Sequence, residues 1–124
     1  MPESAQTEVR VLVVEDDPAA MDVFVDMLEA LGATVIGAGS VPEGRVKLRS
    51  FAPHLVITDV YMPGENGLVM RAEVRNWNAD VPVVALTGAD DAAVSPDAGF
   101  FQILRKPVSM ATLEQLLETV RRRT

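Results

Sequence analysis

Four short apolar runs, each closed by residues able to handle a metal ion or a phosphate, constrain this chain more than any other feature. VLVV at 11–14 runs into Glu15, Asp16 and Asp17, and LVIT at 55–58 runs into Asp59. VPVVAL at 81–86 ends in Thr87 and Gly88, and FFQIL at 100–104 ends in Arg105, Lys106 and Pro107. Such runs, rich in β-branched residues and short, read as strands buried on both faces, the habit of a parallel sheet. If they are neighbours, their polar ends gather along one edge.

The segments between them are helical. Pro18 suits a first turn with Asp16 or Asp17 as cap, and Met21, Phe24, Val25, Leu28 and Leu31 recur at helical spacing before Gly32. A short strand at 34–37 follows. Ser40 with Glu43 forms a capping box for a second helix that Pro53 stops. Residues 62–67 are turn-rich, and a third helix covers about 68–76. Residues 89–98 contain Pro96 and allow two or three helical turns at most. Ser109 caps a final amphipathic helix through Leu113, Leu116, Leu117 and Val120. Strands alternating with helices predict a doubly wound α/β sheet with right-handed crossovers. Ligands in such sheets bind beyond the carboxyl ends of the strands, where the polar residues sit.

With 124 residues, 48% of them hydrophobic, the chain has one domain's worth of core. Residues 1–8 read as a polar leader and 9–124 as a single domain. The absence of cysteine excludes disulfides, thiolate zinc sites and thiol nucleophiles, and His54 alone cannot build a histidine metal cluster. No apolar stretch approaches the roughly 20 residues of a membrane span, and the first residues lack a signal-peptide layout. These features point to a cytoplasmic protein. The net charge of −7 argues against direct nucleic-acid binding.

Asp16 and Asp59, on adjacent strand ends, suit one hard divalent cation such as magnesium, with Glu15 ligating through water or orienting the others. Asp59, directly after a buried run, can also act as a nucleophile toward phosphorus, giving an aspartyl phosphate. That chemistry depends on positioning and charge neutralisation. Lys106 supplies an ammonium and Thr87 a hydroxyl. Pro107 permits a cis peptide that would turn the lysine back over the sheet edge.

With these residues in place, the chain resembles the receiver (response-regulator) domain of two-component signalling over nearly its whole length. VLVVEDDP resembles its acidic-pocket motif, LVITDVYMPGENG the phospho-acceptor motif, VVALTG the switch-threonine motif and LRKP the lysine-proline motif. The resemblance implies a flavodoxin-like (βα)5 fold with a five-stranded parallel sheet in the order 2-1-3-4-5, the fourth helix here being short or irregular. It implies that Asp59 accepts phosphate from a histidine kinase or histidine phosphotransfer protein. Mg2+ (or Mn2+) would be held by Asp16, Asp59 and the backbone carbonyl of Tyr61, with Glu15 assisting, and Thr87 and Lys106 would contact the phosphoryl group. Catalysis would be limited to the domain's own phosphorylation and dephosphorylation, and output would pass to an effector domain or protein. A polar leader behind Met1 favours a receiver placed first in its polypeptide.

Two departures stand out, at Ile103 and in the segment from Thr87 to Gly99, which is a few residues shorter than usual and carries Ser95-Pro96. The family commonly places an aromatic residue three positions before the lysine, where this chain has Ile103, so readout through the usual face is expected to differ. By strand alternation Phe101 shares a face with Ile103 and Phe100 does not. The resemblance also assigns the side chains of Tyr61 and Ala89 to shading the phosphoryl group, where the bulk of one and the smallness of the other oppose. The competing readings are a degenerate receiver that only binds a partner, and an aspartyl-nucleophile phosphatase. Against the phosphatase, Tyr61 occupies the place of the second acid that chemistry wants.

Overall fold

β1 (Arg10–Val14) lies at the centre of the first half of the sheet, hydrogen-bonded to β2 (Thr34–Ala38) on one side and β3 (Leu55–Asp59) on the other. β4 (Val83–Thr87) and β5 (Gln102–Arg105) extend the sheet beyond β3. All pairs are parallel and the order is β2-β1-β3-β4-β5, the flavodoxin-like arrangement. The structure is a computed structural model describing residues 8–123. Only Glu8 of the polar leader, and not Thr124, falls within them.

The helices are α1 (Pro18–Ala30), α2 (Val41–Phe51), α3 (Gly67–Trp77) and α4 (Met110–Arg123). Their starts are set by short polar side chains that accept otherwise orphaned backbone N–H groups. Asp17, not Asp16, caps α1, accepting from Ala19 N at 3.2 Å. Ser40 accepts from Glu43 N at 3.3 Å, while the Glu43 carboxylate reaches Gly39 N at 2.6 Å. Asn66 caps α3, and Ser109 accepts from Thr112 N at 3.1 Å.

Strand alternation divides the core in two. Val11, Val13, Ile57, Val84 and Leu86 pack against Phe24 and Leu28 of α1 and Leu113, Leu116 and Leu117 of α4. Leu12, Val14 and Val56 face Val41 and Leu48 of α2 and Met70 and Val74 of α3. Each fully buried aliphatic side chain contributes about 1.5–3 kcal/mol against exposure, so the central strands are held from both faces and their ends are fixed.

The fourth helical position is short and irregular, as expected: a single 3-10 turn, Pro96–Ala98, within the limit of two or three turns. The proline holds the preceding Ser95 in an extended conformation (ψ 136°), which blocks helix on its N-terminal side. Gly99, at φ +91°, closes the turn three residues later. Among the described residues no α-helix lies between β4 and β5 in the chain. Phe101 and Ile103 are 39% and 38% exposed, whereas Phe100 packs against the α2–α3 core. β4 and β5 also begin two residues later than the runs suggested.

Candidate functional site at the carboxyl edge of the sheet

The polar ends of β1, β3, β4 and the turn after β5 do meet. Glu15 and Asp59 are almost completely buried, at 2% and 5% exposed, and Asp16 faces solvent. One carboxylate oxygen from each of Glu15, Asp16 and Asp59 lies within 4.8 Å of the others. Lys106, 91 positions from Glu15, places Nζ 2.7 Å from Glu15 Oε1 and 2.9 Å from Asp59 Oδ1. The Lys106–Pro107 peptide is cis.

Backbone contacts fix these groups. Glu15 N donates to Ala38 O (3.0 Å), and Glu15 Oε2 accepts from Asp17 N (3.1 Å). Lys106 N donates to the carbonyl of Thr87 at 2.8 Å. Thr87 itself is buried at the end of β4, one residue beyond the Leu86 that pairs with Asp59. Tyr61 is exposed, and its hydroxyl donates to Ala92 O at 3.1 Å, bridging to the segment after β4. Ile103 lies on β5 opposite Ala85, with no ring at that position.

Crowding carboxylates out of water sets the protonation equilibria. Burial, with hydrogen bonding and charge repulsion from Glu15, pushes the Asp59 carboxyl up to about 8, against the pull of Lys106. Burial also works to raise Glu15, but hydrogen bonds with Asp59, Lys106 and the Asp17 backbone bring it below its ordinary value. Lys106 loses hydration, yet its two carboxylate partners hold it above the ordinary lysine value. Three carboxylates face one ammonium, so the site carries more negative charge than its own residues neutralise.

The donor set fits a hard divalent cation. All candidate ligands are oxygen, and buried Asp59 Oδ1 has no hydrogen bond, since Lys106 approaches it as an ion pair without the alignment of one.

One residue that positions the site was missed from sequence. An ideal Cβ on Gly67 would overlap the Asp59 carbonyl oxygen and fall 2.8 Å from Val60 Cα. Gly67 N also donates to Val60 O at 2.9 Å. The start of α3 is thus pressed against the backbone that carries Asp59, an approach only glycine allows. The Asn66-Gly67 pair had been legible only as turn chemistry. Gly67→Ala should cost about 1–3 kcal/mol, the range of overpacking, checked by urea denaturation. Loss below 0.5 kcal/mol would show that the backbone yields freely there.

The fold and this carboxylate–lysine edge define a receiver-type domain. The response regulator receiver domain family model matches residues 11–118, and the chain belongs to that family. It is 34% identical over 116 residues to the probable C4-dicarboxylate response regulator DctR of Halalkalibacterium halodurans, covering 88% of this chain and 50% of that protein. It is 31% identical over 116 residues to the KDP operon transcriptional regulatory protein KdpE of Escherichia coli, covering 91% of this chain and 51% of that protein. The chain therefore spans about half the length of these curated relatives. The crystal structure of a response regulator receiver domain protein from Clostridium thermocellum superposes with a TM-score of 0.84 at 28% identity, covering 93% of this chain and 95% of that one. No helix among the described residues is long and apolar enough to cross a membrane.

Proposed function

We propose that the chain is a phospho-accepting receiver whose nucleophile is Asp59. The observation that carries this reading is a buried aspartate with an oxygen free of hydrogen bonds, beside an ammonium and two further carboxylates. An Asp59 oxygen attacks phosphorus of a phosphohistidine on a histidine kinase or histidine phosphotransfer protein, and the phosphorus–nitrogen bond breaks. The electron pair leaves on the imidazole, which takes up a proton from solvent. Lys106 offsets charge on the transferring group, and Thr87 at the end of β4 donates its hydroxyl to a phosphoryl oxygen.

Glu15, Asp16, Asp59 and the carbonyl of Tyr61 would hold Mg2+ or Mn2+. When bound, the cation supplies charge neutralisation for an otherwise doubly anionic encounter. The domain acts on no separate substrate, and its product is an altered surface read by an effector domain or protein. A cytoplasmic setting follows for a partner of this kind.

Titration with beryllium trifluoride, a tetrahedral phosphoryl mimic, in the presence of Mg2+ tests the reading by amide NMR. Saturable shifts should centre on Asp59, Thr87 and Lys106 and spread into 88–95 through the Tyr61–Ala92 hydrogen bond. Unchanged spectra at those three residues would contradict it.

A further inference from the structure

A second polar cluster lies at the opposite edge of the sheet, where β4 and β5 begin. Arg71, Arg75 and Arg123 line one cleft of about 340 Å³ together with Val83, Gly99 and Phe101. Arg123 is held across it, its guanidinium 5.1 Å from the Phe101 ring centroid and its NH2 3.4 Å from the carbonyl of Asp80. Arg71 packs against Gly99, where an ideal Cβ would fall 2.8 Å from its Nη1 and 3.0 Å from its Cζ.

Among the described residues, no carboxylate forms an ion pair with any of these three arginines, although the chain has 18 acidic residues. Asp80, on the same wall, pairs with none of them. Helix dipoles account for Arg75 and Arg123, which lie in the last turns of α3 and α4. They do not account for Arg71, in the middle of α3. Its Nε is buried without a hydrogen-bond partner, whereas a surface arginine normally carries its head into water. Its guanidinium lines the cleft with no ion-pair partner among the described residues, so it has charge-assisted donor capacity to offer an entering anion.

We propose that this cleft binds a small organic phosphate. Three guanidinium forks match the oxygens and double charge of a phosphate monoester better than a single carboxylate. Val83 and Phe101 offer an apolar wall to the body of the ligand, and the volume is in the range of small-molecule sites. The cleft shares no residue with the Asp59 site, so its ligand and the phosphoryl chemistry can be tested separately.

The test is a Mg2+-free NMR titration of the whole chain with phenyl phosphate, inorganic phosphate and phenylacetate, following backbone amides and the arginine Nε–H signals. Phenyl phosphate should bind saturably at millimolar concentration or below, shifting the Arg71 Nε–H and the amides of 71–83 and 99–101. Inorganic phosphate should bind the same residues more weakly, and phenylacetate more weakly still. Arg71→Gln and Arg75→Gln should each weaken binding by about tenfold or more, the scale of one charge-assisted hydrogen bond, with the remaining amide spectrum unchanged. Absence of saturation, shifts confined to the Asp59 end, or affinity untouched by both substitutions would overturn the site. Equal affinity for phenylacetate would overturn the phosphate assignment.

Discussion

Asp59→Asn should stabilise the metal-free protein at neutral pH while removing its capacity to take up phosphate. The direction follows from the pKa. Burial and Glu15 raise the folded-state value to about 8 from an ordinary 3.8. Between these pH values the folded protein keeps a proton that the unfolded chain has released, so stability falls as pH rises toward 8. Asparagine carries no such charge. The variant should match wild type near pH 4 and exceed it by about 1–2 kcal/mol at pH 8, the range found when a functional site is relieved of a costly group. Thermal unfolding in Mg2+-free buffer across this pH range measures it. A variant less stable than wild type at pH 8 would show that Lys106 already compensates both carboxylates. Added Mg2+ should narrow the gap, because a ion that binds the folded state stabilises it by mass action and the variant lacks one ligand.

The second large effect is expected at Lys106. Its ammonium touches both Glu15 and Asp59, and no other cation among the described residues pairs with either carboxylate. Lys106→Ala leaves two buried carboxylates facing each other, which drives Asp59 further toward its protonated, non-nucleophilic form. It also removes the one cationic side chain that, among the described residues, pairs with Asp59. The rate of phosphorylation by a small-molecule donor should fall by about 10²–10³, the usual cost of losing one preorganised charge-stabilising contact. Arginine keeps the charge but is longer, planar and forked, so Lys106→Arg should recover only part of the rate. Time-resolved mass spectrometry of the acetyl phosphate reaction gives both rates. Unchanged rates in the alanine variant would leave Lys106 as a structural ion pair and nothing more.

How much of this could be read from sequence depends on how local each signal is. The central strands are buried on both faces, so their runs are uninterrupted apolar letters and their polar terminators stand out. That made Glu15, Asp16, Asp59, Thr87 and Lys106 identifiable as a group, and the structure brings them to one edge. Helix starts at Ser40 and Ser109 were legible for the same reason, since a cap is a contact over two or three residues. Asp17 was separable from Asp16 only by geometry, because either carboxylate suits the cap chemically.

The less legible features depend on distance or context. Pro96 limits helix on one side by its own chemistry, but the termination at Gly99 required knowing that its φ is positive. Gly67 matters because the backbone of Asp59 passes close to it, and no pattern in the sequence records that approach. The arginine cleft is the extreme case. Arg71 and Arg75 lie on α3 and Arg123 ends α4, and only the fold brings them to one cleft. In the sequence they are ordinary surface charges.

Ile103 connects the two sets of features. The resemblance predicted altered readout from its missing ring; Ile103 and Phe101 are both partly exposed. The Tyr61 hydroxyl, hydrogen-bonded to Ala92, is a physical link between the loop after β3 and the segment after β4.

The central claim is that Asp59 accepts the phosphoryl group. Incubation of the protein with acetyl phosphate and Mg2+, followed by intact mass measurement, tests it most directly. Wild type should gain one phosphoryl group, about 80 Da, and Asp59→Asn should gain none. No adduct on wild type, or an adduct that persists in Asp59→Asn, would contradict the assignment.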